Sequence, residues 1–124
     1  MLYVYVTKFS IIFCLLKYYL HFQDIFCVSV NDPFVMAAWG REYKACGKVR
    51  MLADTRGEFT KAIEMELNLT ETLGNVRCQR FSLIVEDGKV SRVHTEPDGI
   101  GLTCSLAEYI FISHPDLAFL VHYN

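Results

Sequence analysis

Residues 24–47, DIFCVSVNDPFVMAAWGREYKACG, decide the fold. DIFCVSVN is a short apolar run rich in β-branched residues, the pattern of a buried strand. The polar pair Asn31-Asp32 interrupts it. Either side chain can cap a helix, and Pro33 suits the first helical turn because its missing N–H has no partner there anyway. Phe34, Ala37, Ala38 and Tyr43 then predict an apolar helical stripe, and Gly47 predicts the stop. Gly40 inside that helix costs about 1 kcal/mol relative to alanine. A strand that hands over to a helix is the first half of a parallel crossover unit.

The unit repeats downstream. VRMLADT (49–55) predicts a second strand. GEFTKAIEMELNL (57–69) predicts an amphipathic helix, with Phe59, Ile63 and Leu67 four apart. RFSLIVEDGKVSRVHTE (80–96) places apolar runs on either side of Asp87-Gly88. That dipeptide signals a tight hairpin, since both turn residues tolerate positive φ. Pro97-Asp98-Gly99-Ile100-Gly101 predicts a loop. SLAEYIF (105–111) predicts a last helix, with Ser105 as a cap and Glu108 three positions on. The order strand, helix, strand, helix, hairpin, helix implies a mixed α/β sheet flanked by helices.

Composition bounds the rest. The chain has 124 residues, enough for one domain. Apolar residues make up 52% and charged residues 21%, which excludes a disordered chain. The formal charge of −2 argues against a dedicated nucleic-acid binder. Five cysteines, Cys14, Cys27, Cys46, Cys78 and Cys104, form no CxxC pair. Their odd number and scatter argue against a zinc ribbon, a local dithiol or a secreted disulfide scaffold. His21, His94, His114 and His122 lie far apart without ligand spacing, so no metal site is expected. His94, at the end of a strand, is expected to be solvated or hydrogen-bonded. Asn68-Leu69-Thr70 matches a glycosylation sequon and reads as chance.

Both ends differ in texture from the middle. Residues 1–23, MLYVYVTKFSIIFCLLKYYLHFQ, form an apolar leader in which Lys8 and Lys17 bracket only FSIIFCLL. A membrane span needs about 20 mostly apolar residues, so these lysines weaken a membrane-anchor reading without removing it. No small-residue cleavage site follows, as a signal peptide requires. The tail 109–124 is again aromatic and apolar.

Four segments in order, VSVNDPFVMAAWG, GKVRMLADTRGEF, RFSLIVEDGKV and EPDGIGLTCSLA, resemble the type-five branch of the peroxiredoxins, the atypical two-cysteine thiol peroxidases. The resemblance covers about residues 24–108. It implies a thioredoxin-like fold and reduction of hydrogen peroxide or alkyl hydroperoxides through cysteine, with thioredoxin as reductant. It implies no bound cofactor, and a cytoplasmic, mitochondrial or peroxisomal location. In that family a peroxidatic thiolate attacks the O–O bond and becomes a sulfenic acid, which a resolving cysteine condenses with. The resemblance places the resolving position at Cys104, within GLTCSLA. It places the activating cation at Arg80, within QRFSLIV, where a fixed planar charge can stabilise a thiolate and hold peroxide oxygens. Without the family, Arg80 reads as a surface arginine leading into a strand, and Cys104 as a loop thiol.

The family's nucleophile sits in a Pro-x-x-x-Thr-x-x-Cys loop, and the chain contains no such motif. Counting back from Cys27 by the family's spacing lands at Met1-Leu2-Tyr3. The strand before the loop, the loop and the following helix are therefore expected to be missing or replaced, as in a truncated variant. LYVYV (2–6) is β-prone and a candidate to fill part of the gap. Cys14 has no Pro or Thr partner and lies among Phe, Ile and Leu, surroundings that blunt a thiol. Two readings follow: a peroxidase crippled by loss of its nucleophile, or a non-enzymatic binding or membrane-associated module.

Overall fold

The computed structural model describes residues 2–6, 24–106 and 109–110. Seven strands and three short helices are bounded among the described residues. They are β1 Leu2–Val6, β2 Asp24–Ser29, α1 Pro33–Glu42, β3 Arg50–Ala53, α2 Glu58–Ala62, β4 Glu66–Leu69, α3 Thr70–Leu73, β5 Asn75–Cys78, β6 Phe81–Glu86 and β7 Lys89–Thr95. Five strands form one sheet in the order β3-β2-β1-β6-β7, and β4 and β5 form a separate pair. β1 runs parallel to β2 and antiparallel to β6, so LYVYV occupies the central position of the sheet. The early strand expected to be missing or replaced thus has its place filled by the leader. A central strand joins both halves of a sheet through main-chain hydrogen bonds, which any β-prone sequence can supply.

The two faces of the sheet carry different layers. Val28, Phe81 and Leu83 form one core cluster, with Phe59, Ile63, Met65 and Cys78 packed on it. Ile25, Cys27 and Ile84 are buried on the opposite face, since neighbours along a strand point to opposite sides. Along β3, Met51 lies opposite Cys27 and so shares that second face.

The strand reading of 24–31 and the capping of α1 hold. Asp32 Oδ1 accepts from Phe34 N at 2.8 Å and Val35 N at 2.9 Å, and Pro33 opens the helix. The predicted stripe does not hold. Phe34 is 86% exposed, and Ala37, Ala38 and Tyr43 also face out. The buried side chain is Met36, and one turn on a β-carbon at Gly40 would lie 3.1 Å from Met51 Cγ. At Gly40 the helix therefore lies too close to the sheet for a larger side chain to fit freely, and Met36 and this small residue, rather than the alanines, mark the inner face. The helix ends at Glu42, five residues before Gly47. Lys44 takes a φ of +51° and Ala45, 1% exposed, turns into the core.

The helix predicted over 57–69 is overturned beyond Ala62. Glu64 adopts a φ of +57°, which a helix cannot continue through. Leu67 and Leu69 then alternate with exposed residues along β4, paired antiparallel with β5. Phe59 and Ile63 keep their expected role in the core. The β6–β7 hairpin forms as expected, with Asp87 at φ +49° and Gly88 at +77°. Of the last predicted helix, Tyr109 and Ile110 are helical and Ile110 is fully buried, while residues 107, 108 and 111 lie outside the described residues. Cys14, the rest of residues 7–23 and the tail from 111 also lie outside them.

Candidate functional site

The loop after β7 is built around two acids. Asp98 Oδ1 accepts from Gly101 N at 2.6 Å and from Ile100 N at 3.0 Å. These bonds hold its carboxyl below the usual range. Glu96 is 1% exposed and accepts four hydrogen bonds. Oε1 accepts from Thr103 N at 2.7 Å, Ser105 N at 2.9 Å and Ser105 Oγ at 2.6 Å, and Oε2 accepts from Thr103 Oγ1 at 2.6 Å. Burial alone would raise its pKa, but the four donors outweigh burial and hold it at about 2. The Ser105 hydroxyl, expected as a helix cap, donates to this carboxylate.

That loop positions Arg80. Its backbone continues the hairpin ladder, with Arg80 N donating to Gly99 O at 2.8 Å and Glu96 N donating to Arg80 O at 3.0 Å. Its Nη1 donates to Ile100 O and, at 2.9 Å, to Gly101 O. A second guanidinium stands close by in the fold. Arg77 Nη1 on β5 donates to Val30 O at 2.7 Å and to Asn31 Oδ1 at 2.8 Å, tying the β4–β5 pair to the end of β2. Arg77 Nε is buried without a hydrogen-bond partner.

Both arginines line a cleft of about 420 Å³. Its floor comes from the carboxyl end of β2, where Ser29 and Asn31 lie, and its walls include Trp39, Leu69 and Leu73. Ligands of open α/β sheets sit at the carboxyl ends of the parallel strands. No carboxylate lines the cleft among the described residues, so two fixed positive charges face apolar walls. Such a site suits a small molecule with a polar head and an apolar body.

The thiols divide by environment. Cys27 is fully buried on β2, and burial pushes its pKa up to about 12. Cys78 lines the cleft, and burial lifts it to about 11, with a contribution from the charge of Asp54 and opposition from Thr60. Cys46 is exposed. Cys104 is half-buried, and its Sγ donates to Thr95 O at 3.3 Å. Asp54 accepts from Thr60 N at 2.8 Å and Phe59 N at 3.2 Å. These bonds outweigh burial and hold its carboxyl low.

Of the two residues singled out from sequence, Arg80 lines the cleft and Cys104 does not. They share the loop: Arg80 grips the carbonyls of residues 100 and 101, and Cys104 follows three residues on. Arg77 and Glu96 escaped sequence reasoning, and Asn31 was read there only as a candidate helix cap, not as a residue of the cleft. Only the EPDG stretch within a recognised segment hinted at Glu96. His94, expected to be solvated or hydrogen-bonded, has a buried Nε2 without a hydrogen-bond partner. Its ring meets Tyr109 edge-on at 5.3 Å. Among the described residues, no three His, Cys, Asp or Glu side chains gather to hold a metal. Nor is any described helix long and apolar enough to cross a membrane.

Comparison with known proteins agrees with this geometry. The Redoxin family matches residues 17–110. Peroxiredoxin-2C of Oryza sativa subsp. japonica is 45% identical over 88 residues, covering 71% of this chain and 54% of the relative. The chain spans about half the length of the curated relatives it matches. Peroxiredoxin 5 from Alvinella pompejana superposes with a TM-score of 0.63 at 40% identity, covering 86% of this chain and 76% of that one. Reduced Prx3 from Vibrio vulnificus in complex with H2O2 gives a TM-score of 0.72 at 32% identity, covering 88% and 77%. A thioredoxin-like sheet, four motifs in order and these relatives converge on one conclusion: the chain belongs to the redoxin family and, within it, to the peroxiredoxins.

Proposed function

We propose that this chain is a type-five peroxiredoxin scaffold that keeps the arginine half of a thiol-peroxidase site and lacks the nucleophile half. The family reaction reduces hydrogen peroxide or an alkyl hydroperoxide. A thiolate attacks one peroxide oxygen, the O–O bond breaks, and the leaving alkoxide takes up a proton. The fixed charges of Arg80 and Arg77 are suited to that leaving oxygen, and the walls of the cleft to an alkyl group. The resulting sulfenic acid condenses with the resolving thiol, here Cys104, releasing water. Thioredoxin is the expected reductant of the disulfide, and a reducing compartment inside the cell the expected setting.

One observation carries the impairment. β1 takes the place of the strand that precedes the nucleophile's loop, so that loop belongs to residues 7–23, TKFSIIFCLLKYYLHFQ. This connection contains no proline, and Cys14 lacks the Thr three positions before it. The two thiols that burial holds protonated, Cys27 and Cys78, do not substitute. At pH 7 a thiol with a pKa of about 12, such as Cys27, is ionised to about one part in 10⁵. Cys78, at about 11, gains only about tenfold on that.

The test is coupled turnover: the chain, thioredoxin, its reductase, NADPH and hydrogen peroxide. The expected result is NADPH consumption no faster than without the chain. Sustained consumption proportional to the chain's concentration would overturn the impaired reading. The alternative, a non-enzymatic binding module, draws on the same cleft, whose charge and apolar walls do not depend on a nucleophile.

A further inference from the structure

Two buried polar atoms lie side by side across the β6–β7 hairpin, each without a hydrogen-bond partner. Ser82 and His94 stand directly opposite one another in the antiparallel ladder, so their side chains are neighbours on one face of the sheet. Ser82 is fully buried, and neither its Oγ nor His94 Nε2 is hydrogen-bonded. The same face buries Ile84 on β6 and Cys27 on β2. The charged and titratable groups around the imidazole are few among the described residues. From its own strand, Arg92 lies two residues earlier on the same face and brings a positive charge. Glu96, two residues on, gives both carboxylate oxygens to Thr103 and Ser105. From β6 come Ser82 and Ile84, which carry no charge. From the end of the described chain, the Tyr109 ring meets the imidazole edge-on at 5.3 Å, beside the fully buried Ile110. Further along the row, the Cys27 thiol is kept neutral by burial. A neutral imidazole tolerates these surroundings. An imidazolium carries an N–H on both nitrogens, and at Nε2 it would find one neutral hydroxyl, a nearby guanidinium and no free carboxylate.

We infer that His94 is an acid sensor built into the β6–β7 hairpin: the fold holds with the ring neutral and weakens when the ring takes up a proton. Burial first, and then the charge of Arg92, hold the folded ring below its ordinary value of 6.5. The unfolded chain therefore binds this proton more readily than the folded one. The contribution of His94 to stability is complete above about 6.5 and is lost as pH falls through the folded value. That loss begins well above the window in which the carboxylates act, since Glu96 keeps its contribution down to about 4.5. The device does not involve thiol chemistry and holds whether or not the chain reduces peroxide. It matches the chain to neutral surroundings and makes it give way in acidic ones.

The test is urea unfolding of the whole chain at about pH 7.5 and about pH 5.5, which bracket the ordinary histidine range. The quantity read is the difference between the two midpoints within each variant, so a change in baseline stability cancels. In the unaltered chain the midpoint is expected to be lower at the acid pH. In His94→Gln, which keeps a polar side chain that does not titrate, the drop is expected to shrink. His21, His114 and His122 are present in both chains and cannot account for the difference. A second measurement needs no variant: the proton NMR titration of the His94 ring in the folded chain, its resonance identified through its contact with Tyr109. The ring is expected to titrate below 6.5. An equal drop in the unaltered chain and His94→Gln would overturn the sensor. So would a folded ring that titrates at or above 6.5, because the folded chain would then bind the proton at least as well as the unfolded one.

Discussion

Replacing Glu96 by alanine and by glutamine separates the worth of its hydrogen bonds from the worth of its charge. Alanine leaves the amides of Thr103 and Ser105 and two hydroxyls without their acceptor. The Thr103 pair, on an exposed residue, turns to water; the Ser105 pair, on a residue 5% exposed, does not. Each buried donor left unsatisfied costs about 1–3 kcal/mol. With the weaker loss at Thr103, the total for alanine is about 3–6 kcal/mol, a large share of the 5–15 kcal/mol that holds a typical domain together. Glutamine keeps an oxygen at the position of Oε1 and its three bonds. Its amide nitrogen replaces Oε2, and the Thr103 hydroxyl rotates to accept from it. What remains lost is charge assistance, offset in part by cheaper burial of a neutral group, for a net of about 1–2 kcal/mol. Urea unfolding followed by circular dichroism at pH 7 measures both. The acid limb adds a second reading. The folded pKa of Glu96 lies at about 2 against an ordinary 4.5. Its contribution is complete above about 4.5 and is lost as pH falls toward about 2. Glu96→Gln therefore flattens the pH dependence in that window, leaving the smaller slopes of Asp54 and Asp98, whose carboxyls are also held low. Equal losses for glutamine and alanine, or an unchanged acid limb in Glu96→Gln, would refute the reasoning.

Two further substitutions weigh opposed effects. Gly40→Ala gains about 1 kcal/mol of helix propensity but drives a β-carbon to 3.1 Å from Met51 Cγ, and overpacking costs about 1–3 kcal/mol. The expected result is a lower urea midpoint, and a raised one would show that Met51 gives way freely. Arg77→Met removes charge-assisted bonds to Val30 O and Asn31 Oδ1 along with the orphaned Nε. The bonds are worth more than the orphan costs, so a loss of about 1–3 kcal/mol is expected in the same assay. A gain in stability would mean that the buried Nε–H dominates.

Legibility in the sequence followed the range of the interaction. β2, the Asp32 cap and the Asp87-Gly88 turn are set by neighbouring residues, and the sequence exposes them directly. The β4–β5 pair was hidden because Phe59, Ile63 and Leu67 fall on a helical spacing by coincidence, and the break rests on one residue, Glu64, taking positive φ. The inner face of α1 was misjudged because it is marked by a single buried methionine, Met36, and by a glycine, Gly40, which carries no apolar side chain to report it. Arg80 and Cys104 carried meaning only through resemblance to a family. The cleft joins Ser29 and Asn31 to Arg77 and Arg80 across some fifty residues of chain, and no local pattern reports that. Glu96 lies seven and nine residues from its partners, a spacing that belongs to no repeat.

The central claim is that a peroxiredoxin fold here stands without an activated thiol. Intact mass measured within seconds of mixing the reduced chain with an equal amount of hydrogen peroxide tests it most directly. The account predicts an unchanged mass from a folded sample. A rapid gain of one oxygen, or a loss of two hydrogens, would contradict it, and peptide mapping would then place the reacting cysteine.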